Sequence, residues 1–268
     1  MSNDSPVFRH GDFCRVDLNA RDPDAARVFY SGLFGWAGEF AGRASDAGPY
    51  ERFFLDGLLV AGMGRMSDEM RAGGSPSAWV SYIRVDDADA VVEAAGRLGA
   101  TIQVPATTIS EAGRIAFIND PTGASVAFWE AGLEAGADAT KVPGTFCWNE
   151  LATPDLEGAQ AFYAELLGWT GYVNPHSPAP YRIMENAGRS NGGILQMTEE
   201  WGGAPPHWIV YFAVDDAEDA AERVRALGGS VHHGPFETAA GKLVVCQDNQ
   251  DAMFHLLQLA EFAAAEPD

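Results

Sequence analysis

Residues 11–40, GDFCRVDLNARDPDAARVFYSGLFGWAGEF, align without a gap on residues 144–173, GTFCWNELATPDLEGAQAFYAELLGWTGYV. Gly11/Gly144, Phe13/Phe146, Cys14/Cys147, Asp22/Asp155, Phe29-Tyr30/Phe162-Tyr163 and Gly35-Trp36/Gly168-Trp169 are identical between the two. A second block, WVSYIRVDDADAVVEAAGRLG from Trp79, returns as WIVYFAVDDAEDAAERVRALG from Trp208, with a different offset. The Pro49-Tyr50 and Pro180-Tyr181 pairs between the blocks take an intermediate offset, so the copies differ by short loop deletions. A period this long is a whole domain, since solenoid units repeat every ~20–50 residues. Two similar domains in one chain imply a pseudo-twofold pair, an intrachain pseudo-dimer.

With 268 residues, each half can bury its own core. Seventeen basic against 38 acidic residues leave a net charge of -21. Such a balance excludes nucleic acid and anionic membranes as partners, because both demand a cationic face. Three cysteines, none in a CxxC spacing, read as buried thiols in a reducing compartment. The N-terminus has no apolar leader pattern and no apolar run has the length of a membrane span. The expected location is cytoplasmic.

Each copy alternates strand and helix patterns. Phe13–Ala20 places Cys14, Val16 and Leu18 on one face and Arg15, Asp17 and Asn19 on the other. Asp22-Pro23-Asp24 supplies a helix cap and a first-turn proline, and the helix stops at Gly35. Strands are predicted over 36–41, 50–55 and 58–64, the last two joined at Asp56-Gly57. The pattern then restarts, with a strand at 79–85, a helix at 87–98 and strands at 101–104, 114–118 and 125–130. The whole chain is βαβββ four times. The small, polar run 132–143 is expected to link a first domain, 10–131, to a second, 144–260.

FYSGLFGW and FYAELLGW after the first strand of each copy, with Val-Asp-Asp leading into the later helix, resemble the vicinal oxygen chelate superfamily. Glyoxalase I, bleomycin-resistance proteins and extradiol dioxygenases belong to it. The resemblance covers about 10–131 and 144–260 and implies an α+β fold, tandem glyoxalase-type domains whose four βαβββ modules form two curled eight-stranded cups. It also implies where a divalent metal would be held. The first-strand position falls at Arg15 and Trp148, the fifth at Val80 and Ile209, and the eighth at Ala127 and His255. Near the fourth the sequence reads Val60-Ala61-Gly62 and Gly193-Ile194-Leu195. One imidazole does not make a site that needs three or four N/O ligands. The expectation is therefore no metal and no cofactor.

By alternation the first cup receives Arg15, Asp17, Tyr82, Arg84, Ser125 and Trp129. The second receives Trp148, Glu150, Tyr211, Met253, His255 and Leu257. Aromatic walls with a few convergent polar groups suit a small-molecule ligand. Arg15 and Asp17 can neutralise each other at a rim. Glu150 and His255 form the candidate acid–base pair, Glu150 orienting the imidazole. Trp36 and Trp169 read as core, His232, His233 and His207 as surface groups, and Gly73-Gly74 and Gly192-Gly193 as turn or close-packing glycines. The leading expectation is a metal-independent protein binding a small apolar or aromatic oxygenated molecule, a metabolite or antibiotic. The alternative is a glyoxalase-like lyase or a hydroxylase acting on such a molecule, for instance a ketoaldehyde adduct or polyketide.

Overall fold

A computed structural model describes residues 6–43, 49–177 and 179–260. The first half runs β1 (Phe13–Ala20), α1 (Pro23–Phe34), β2 (Ala37–Arg43), β3 (Pro49–Leu55), β4 (Leu58–Arg65), α2 (Asp68–Ala72), β5 (Ala78–Val85), α3 (Ala88–Arg97), β6 (Thr101–Ser110), β7 (Gly113–Asn119) and β8 (Ser125–Ala131). The second runs β9 (Phe146–Thr153), α4 (Leu156–Leu167), β10 (Thr170–Val173), β11 (Tyr181–Asn186), β12 (Arg189–Gln196), β13 (His207–Ala213), α5 (Ala217–Ala226), β14 (Ser230–Thr238), β15 (Gly241–Gln247) and β16 (Met253–Leu259).

Local chemistry sets the helix ends as the sequence predicts. The Asp22 carboxylate accepts from the amides of Asp24 and Ala25, Pro23 opens α1, and Gly35 closes it in the left-handed conformation at φ 76°. Asp155 and Gly168 do the same for α4. One strand is longer than expected. β6 continues past Val104 and Pro105 to Ser110, because an edge strand with repeated register shifts tolerates a proline.

Two eight-stranded mixed sheets result, ordered β2-β3-β4-β1-β5-β8-β7-β6 and β10-β11-β12-β9-β13-β16-β15-β14. In each, the two βαβββ modules meet through an antiparallel pair at the centre, β1 with β5 and β9 with β13. The fold is the expected α+β pair of curled sheets. A single apolar cluster carries residues from both sheets and from α1, α3, α4 and α5, among them Phe29, Tyr30, Trp36, Trp79, Tyr163, Trp169, Trp208 and Phe212. The halves thus share one core, and Trp36 and Trp169 lie in it. Smaller clusters line the two concave faces.

The shared core is tied by reciprocal polar bonds. Tyr30 donates to Asp248 at 2.9 Å and Tyr163 donates to Asp120 at 2.8 Å. Trp79 Nε1 donates to the Tyr30 hydroxyl at 2.9 Å, and Trp208 Nε1 to that of Tyr163 at 3.2 Å. Trp36 Nε1 reaches the carbonyl of Gly144 at 2.7 Å, and Trp169 Nε1 that of Gly11 at 2.9 Å.

One facing expectation is corrected. Phe13 pairs with Ile83 but Arg15 pairs with Tyr82, so Cys14 is an extra residue in β1. This β-bulge turns Cys14 to the cup, against Tyr82, Ala127 and Trp129, rather than onto the face of Val16 and Leu18. Cys147 is bulged in the same way in β9 and joins Ile209 and Tyr211. Both thiols are buried, as expected, and burial pushes each up to about 12.

Candidate functional site

The two cups are built on one plan and filled differently. In the first, Asp17 lies beside Gly62 on β4, and the Tyr50 hydroxyl hangs over that glycine, where any β-carbon would collide with it. Tyr50 donates to Asp17 at 3.0 Å, and Tyr82 also hydrogen-bonds to this carboxylate. Arg15 completes the group: its Nε donates to Asp17 at 2.9 Å and its Nη2 to the Tyr50 hydroxyl. The guanidinium sits 4.8 Å from the Trp129 ring centroid, 5.5 Å from Tyr50 and 5.7 Å from Tyr82. Arg15 and Asp17 are only 6% and 8% exposed, so this is a buried, caged ion pair rather than the rim pair expected.

The run 132–143 is more than a tether. Leu133 and Glu134 donate to the 111–112 turn, Ala137 donates to the Cys14 carbonyl at 2.8 Å, and Asp138 donates to that of Leu59 at 2.7 Å. Strapped in this way, the segment brings the Glu134 carboxylate to Arg52 and to Arg15 Nη1, the latter at 3.5 Å. The Glu134 carbonyl accepts from Trp129 Nε1 at 2.9 Å. The first cup is therefore filled by its own chain. Its composition, small and polar, carried no signal of this.

In the second cup Glu150 takes the place of Asp17 and Gly193 that of Gly62, with the Tyr181 hydroxyl over the glycine. Tyr181 and Tyr211 both hydrogen-bond to Glu150. Trp148, in the position of Arg15, donates from Nε1 to the Tyr181 hydroxyl at 3.0 Å. The carboxyl is 5% exposed, and among the described residues no lysine, arginine or histidine forms an ion pair with it. Burial pushes its pKa up to about 7, the two hydroxyls pulling the other way.

His255 stands level with Tyr211 on the neighbouring strand, the two rings packed edge to face with centroids 4.5 Å apart. Its Nδ1 is buried without a partner. Burial, with His207 adding to it, drops its pKa to about 3, so the ring is neutral. Glu150 does not orient it, because Tyr211 stands between β9 and β16 and takes the carboxyl itself. Met253 lies exposed at the start of β16, and Leu257 is buried in the cup wall. Met197 and Trp201, from the segment after β12, complete that wall. His232 and His233 are exposed, and His207 opens β13 with Nδ1 against the Pro205 carbonyl.

Sequence reasoning missed Tyr50 and Tyr181. The repeated Pro-Tyr pair and the glycines at Gly62 and Gly193 were the available signal. Two open clefts border these groups, one touching Tyr50 and the other Trp148. One of about 470 Å³ beside the start of α1 is lined by Arg21, Arg27, Arg65 and Arg71, and each of these arginines is ion-paired. Another of about 240 Å³ runs between the halves, with Trp148 in its wall.

The model of the glyoxalase/bleomycin resistance protein/dioxygenase superfamily matches residues 13–128 and 145–256, and the chain belongs to that superfamily. A protein of Mycobacterium tuberculosis, CFP32, named provisionally as a glyoxylase, is 37% identical over 255 residues, covering 94% of this chain and 97% of its own. The anthracycline biosynthesis protein DnrV of Streptomyces peucetius is 34% identical over 263 residues, 91% of this chain and 92% of its own. Among solved structures, the Mn(II)-bound glyoxalase from Novosphingobium aromaticivorans superposes with a TM-score of 0.62 at 17% identity, over 96% of this chain and 86% of that one. The 2,3-dioxygenase LapB from Pseudomonas sp. KL28 gives 0.64 at 15% identity, over 98% of both. These two show the fold.

The family fold implies a divalent metal, and the residues here do not fit one. The positions that would hold it carry Arg15, Val80 and Ala127 in the first cup and Trp148, Ile209 and His255 in the second. Among the described residues no three His, Cys, Asp or Glu side chains converge. A lone imidazole, with β13 and Tyr211 between it and Glu150, is not a donor set for a transition metal.

Proposed function

We propose that the chain is a metal-independent binding protein whose second cup takes a small aromatic oxygenated molecule. The observation that carries this reading is Glu150: a buried carboxyl without a paired cation among the described residues, faced by two tyrosine hydroxyls and walled by Trp148. A buried carboxyl with no counter-charge among the described residues, beside an aromatic wall, favours a ligand of complementary chemistry. In the first cup the corresponding carboxylate is already paired with Arg15. The relation to a protein named for anthracycline biosynthesis fits a polycyclic aromatic ligand. A hydroxylated anthraquinone titrated into the protein should quench tryptophan emission saturably, with and without chelator. Trp148→Ala and Glu150→Gln should each weaken that binding at least tenfold. Quenching unchanged in both variants would remove the second cup from consideration.

One feature favours an enzyme as the second reading. A carboxyl near pH 7 can accept and return a proton, with Tyr181 and Tyr211 as donors to a developing oxyanion. Exchange of a ligand's carbon-bound hydrogens into deuterated water, lost in Glu150→Gln, would support it.

A further inference from the structure

The two cups, read against each other, say something about the ligand's charge; this inference rests on the second cup being the binding site. The first cup shows what the shared plan accommodates. There a carboxylate takes hydrogen bonds from two tyrosines and from a guanidinium, and the cation rests on aromatic rings at 4.8–5.7 Å. The second cup keeps the carboxylate as Glu150, the tyrosines as Tyr181 and Tyr211, and the glycine that lets one hydroxyl in as Gly193. It replaces the cation with Trp148, whose indole reproduces only the bond to the tyrosine hydroxyl. What is missing is one positive charge.

We infer that the ligand of the second cup supplies it: a protonated amine on an aromatic molecule, set against Glu150 with Trp148, Tyr181 and Tyr211 around it. An ammonium would restore the ion pair that Arg15 makes in the first cup and gain from the faces of the rings. A net charge of -21 also draws cations toward the protein.

A neutral hydroxyl or keto ligand would use Glu150 as a proton-bearing donor instead, and the two cases have opposite pH dependence. Amine binding needs the ionised carboxyl. Between pH 5.5 and 8.5 it should strengthen, by roughly thirtyfold for a carboxyl that titrates at about 7. The other titratable groups on this wall stay fixed over that range. Burial holds the Tyr181 and Tyr211 hydroxyls and the Cys147 thiol protonated, and it holds His255 neutral. His207, which His255 senses, is controlled by repeating the titration in His207→Ala.

The test is calorimetric titration of the full chain with 2-phenylethylamine, 2-phenylethanol and phenylacetate at both pH values. The expected result is an amine preference over the alcohol of at least tenfold at pH 8.5 that collapses at pH 5.5. Glu150→Gln should erase the preference, and should Glu150→Gln fail to fold, the pH series on the wild type decides. Alcohol binding equal to or tighter than amine binding at pH 8.5 overturns the amine while leaving the second cup as the site. Amine binding untouched by Trp148→Ala and Glu150→Gln overturns both readings. Binding of none of the three probes overturns the amine.

Discussion

Tyr30, from the first half, hydrogen-bonds through its hydroxyl to Asp248 in the second, and the same hydroxyl accepts from Trp79. Tyr163 repeats the arrangement in the opposite direction with Asp120 and Trp208. Burial pushes both phenols well above their ordinary range, so each remains a donor. Each aspartate also ties its own turn: Asp120 accepts from the amides of Thr122, Gly123 and Ala124, and Asp248 from those of Gln250 and Ala252.

Tyr30→Phe deletes one oxygen and leaves a buried carboxylate and a buried indole N–H short of a partner. The expected cost is about 1.5–3 kcal/mol, from the usual worth of a hydrogen bond to a charged group. Tyr163→Phe should cost a similar amount. Urea unfolding of the single variants checks both values, and a loss confined to one would break the pseudo-symmetry of the interface.

Glu150 makes the ligand-free protein sensitive to pH in a defined direction. Burial raises its folded-state pKa to about 7, above the ordinary glutamate value of 4.5 that the unfolded chain retains. The native state therefore holds the proton more tightly, and that contribution is complete below about pH 4.5 and lost as pH rises to about 7. Glu150→Gln should gain on wild type by up to about 3 kcal/mol across this window, since one pKa unit is worth about 1.4 kcal/mol. Melting curves at pH 4.5 and 8 would show it. A constant offset between the two proteins would mean that the carboxyl is not buried in solution.

His255 acts with the opposite sign. Its pKa falls from 6.5 to about 3, so stability is present above about pH 6.5 and drains away as pH drops toward 3. His255→Phe keeps a ring against Tyr211 and removes the basic group. The variant should resist acid better than wild type between pH 6 and 4, read by far-ultraviolet circular dichroism.

Gly193→Ala puts a methyl group where the Tyr181 hydroxyl lies. Either the strand or the tyrosine must move, at an expected cost of about 1–3 kcal/mol. The displaced hydroxyl can no longer serve Glu150 or Trp148. Ligand affinity should fall together with stability, whereas Gly123→Ala, in an open turn, should leave affinity alone.

Removal of the strap's carboxylate should loosen the first cup without touching the second. Glu134→Ala leaves Arg52 and Arg15 Nη1 without their partner. The indole N–H of Trp129, bonded to the Glu134 carbonyl, should exchange with solvent faster in this variant, while that of Trp148 stays unchanged. Nuclear magnetic resonance resolves the two signals.

The duplication makes the architecture readable in the sequence, because helix caps at Asp22 and Asp155 and stops at Gly35 and Gly168 act locally. Strand alternation placed Arg15, Asp17, Trp148 and Glu150 on the cup faces because no bulge intervenes between these residues and their partners on β5 and β13. It misplaced Cys14, since a bulge shifts the count by one and nothing in Phe-Cys-Arg announces it. Tyr50 and Tyr181 escaped notice because their rings cross a neighbouring strand to reach the carboxylates, and only the missing side chains of Gly62 and Gly193 make room. Glu134 escaped for a different reason: a strap is held by backbone bonds, which leave no pattern in residue type.

The reciprocal bonds also bear on how the polypeptide is made. When β8 leaves the ribosome, every strand of the first sheet exists, yet Trp36 still lacks the Gly144 carbonyl and Tyr30 still lacks Asp248. Helix α1 therefore waits for the turn that precedes β16. A product cut short before residue 248 would carry the complete first sheet but lack β16, leaving part of the shared aromatic core uncovered, the kind of species that proteases and chaperones recognise. The Asp248 turn thus closes the shared core only after fifteen of the sixteen described strands are in place.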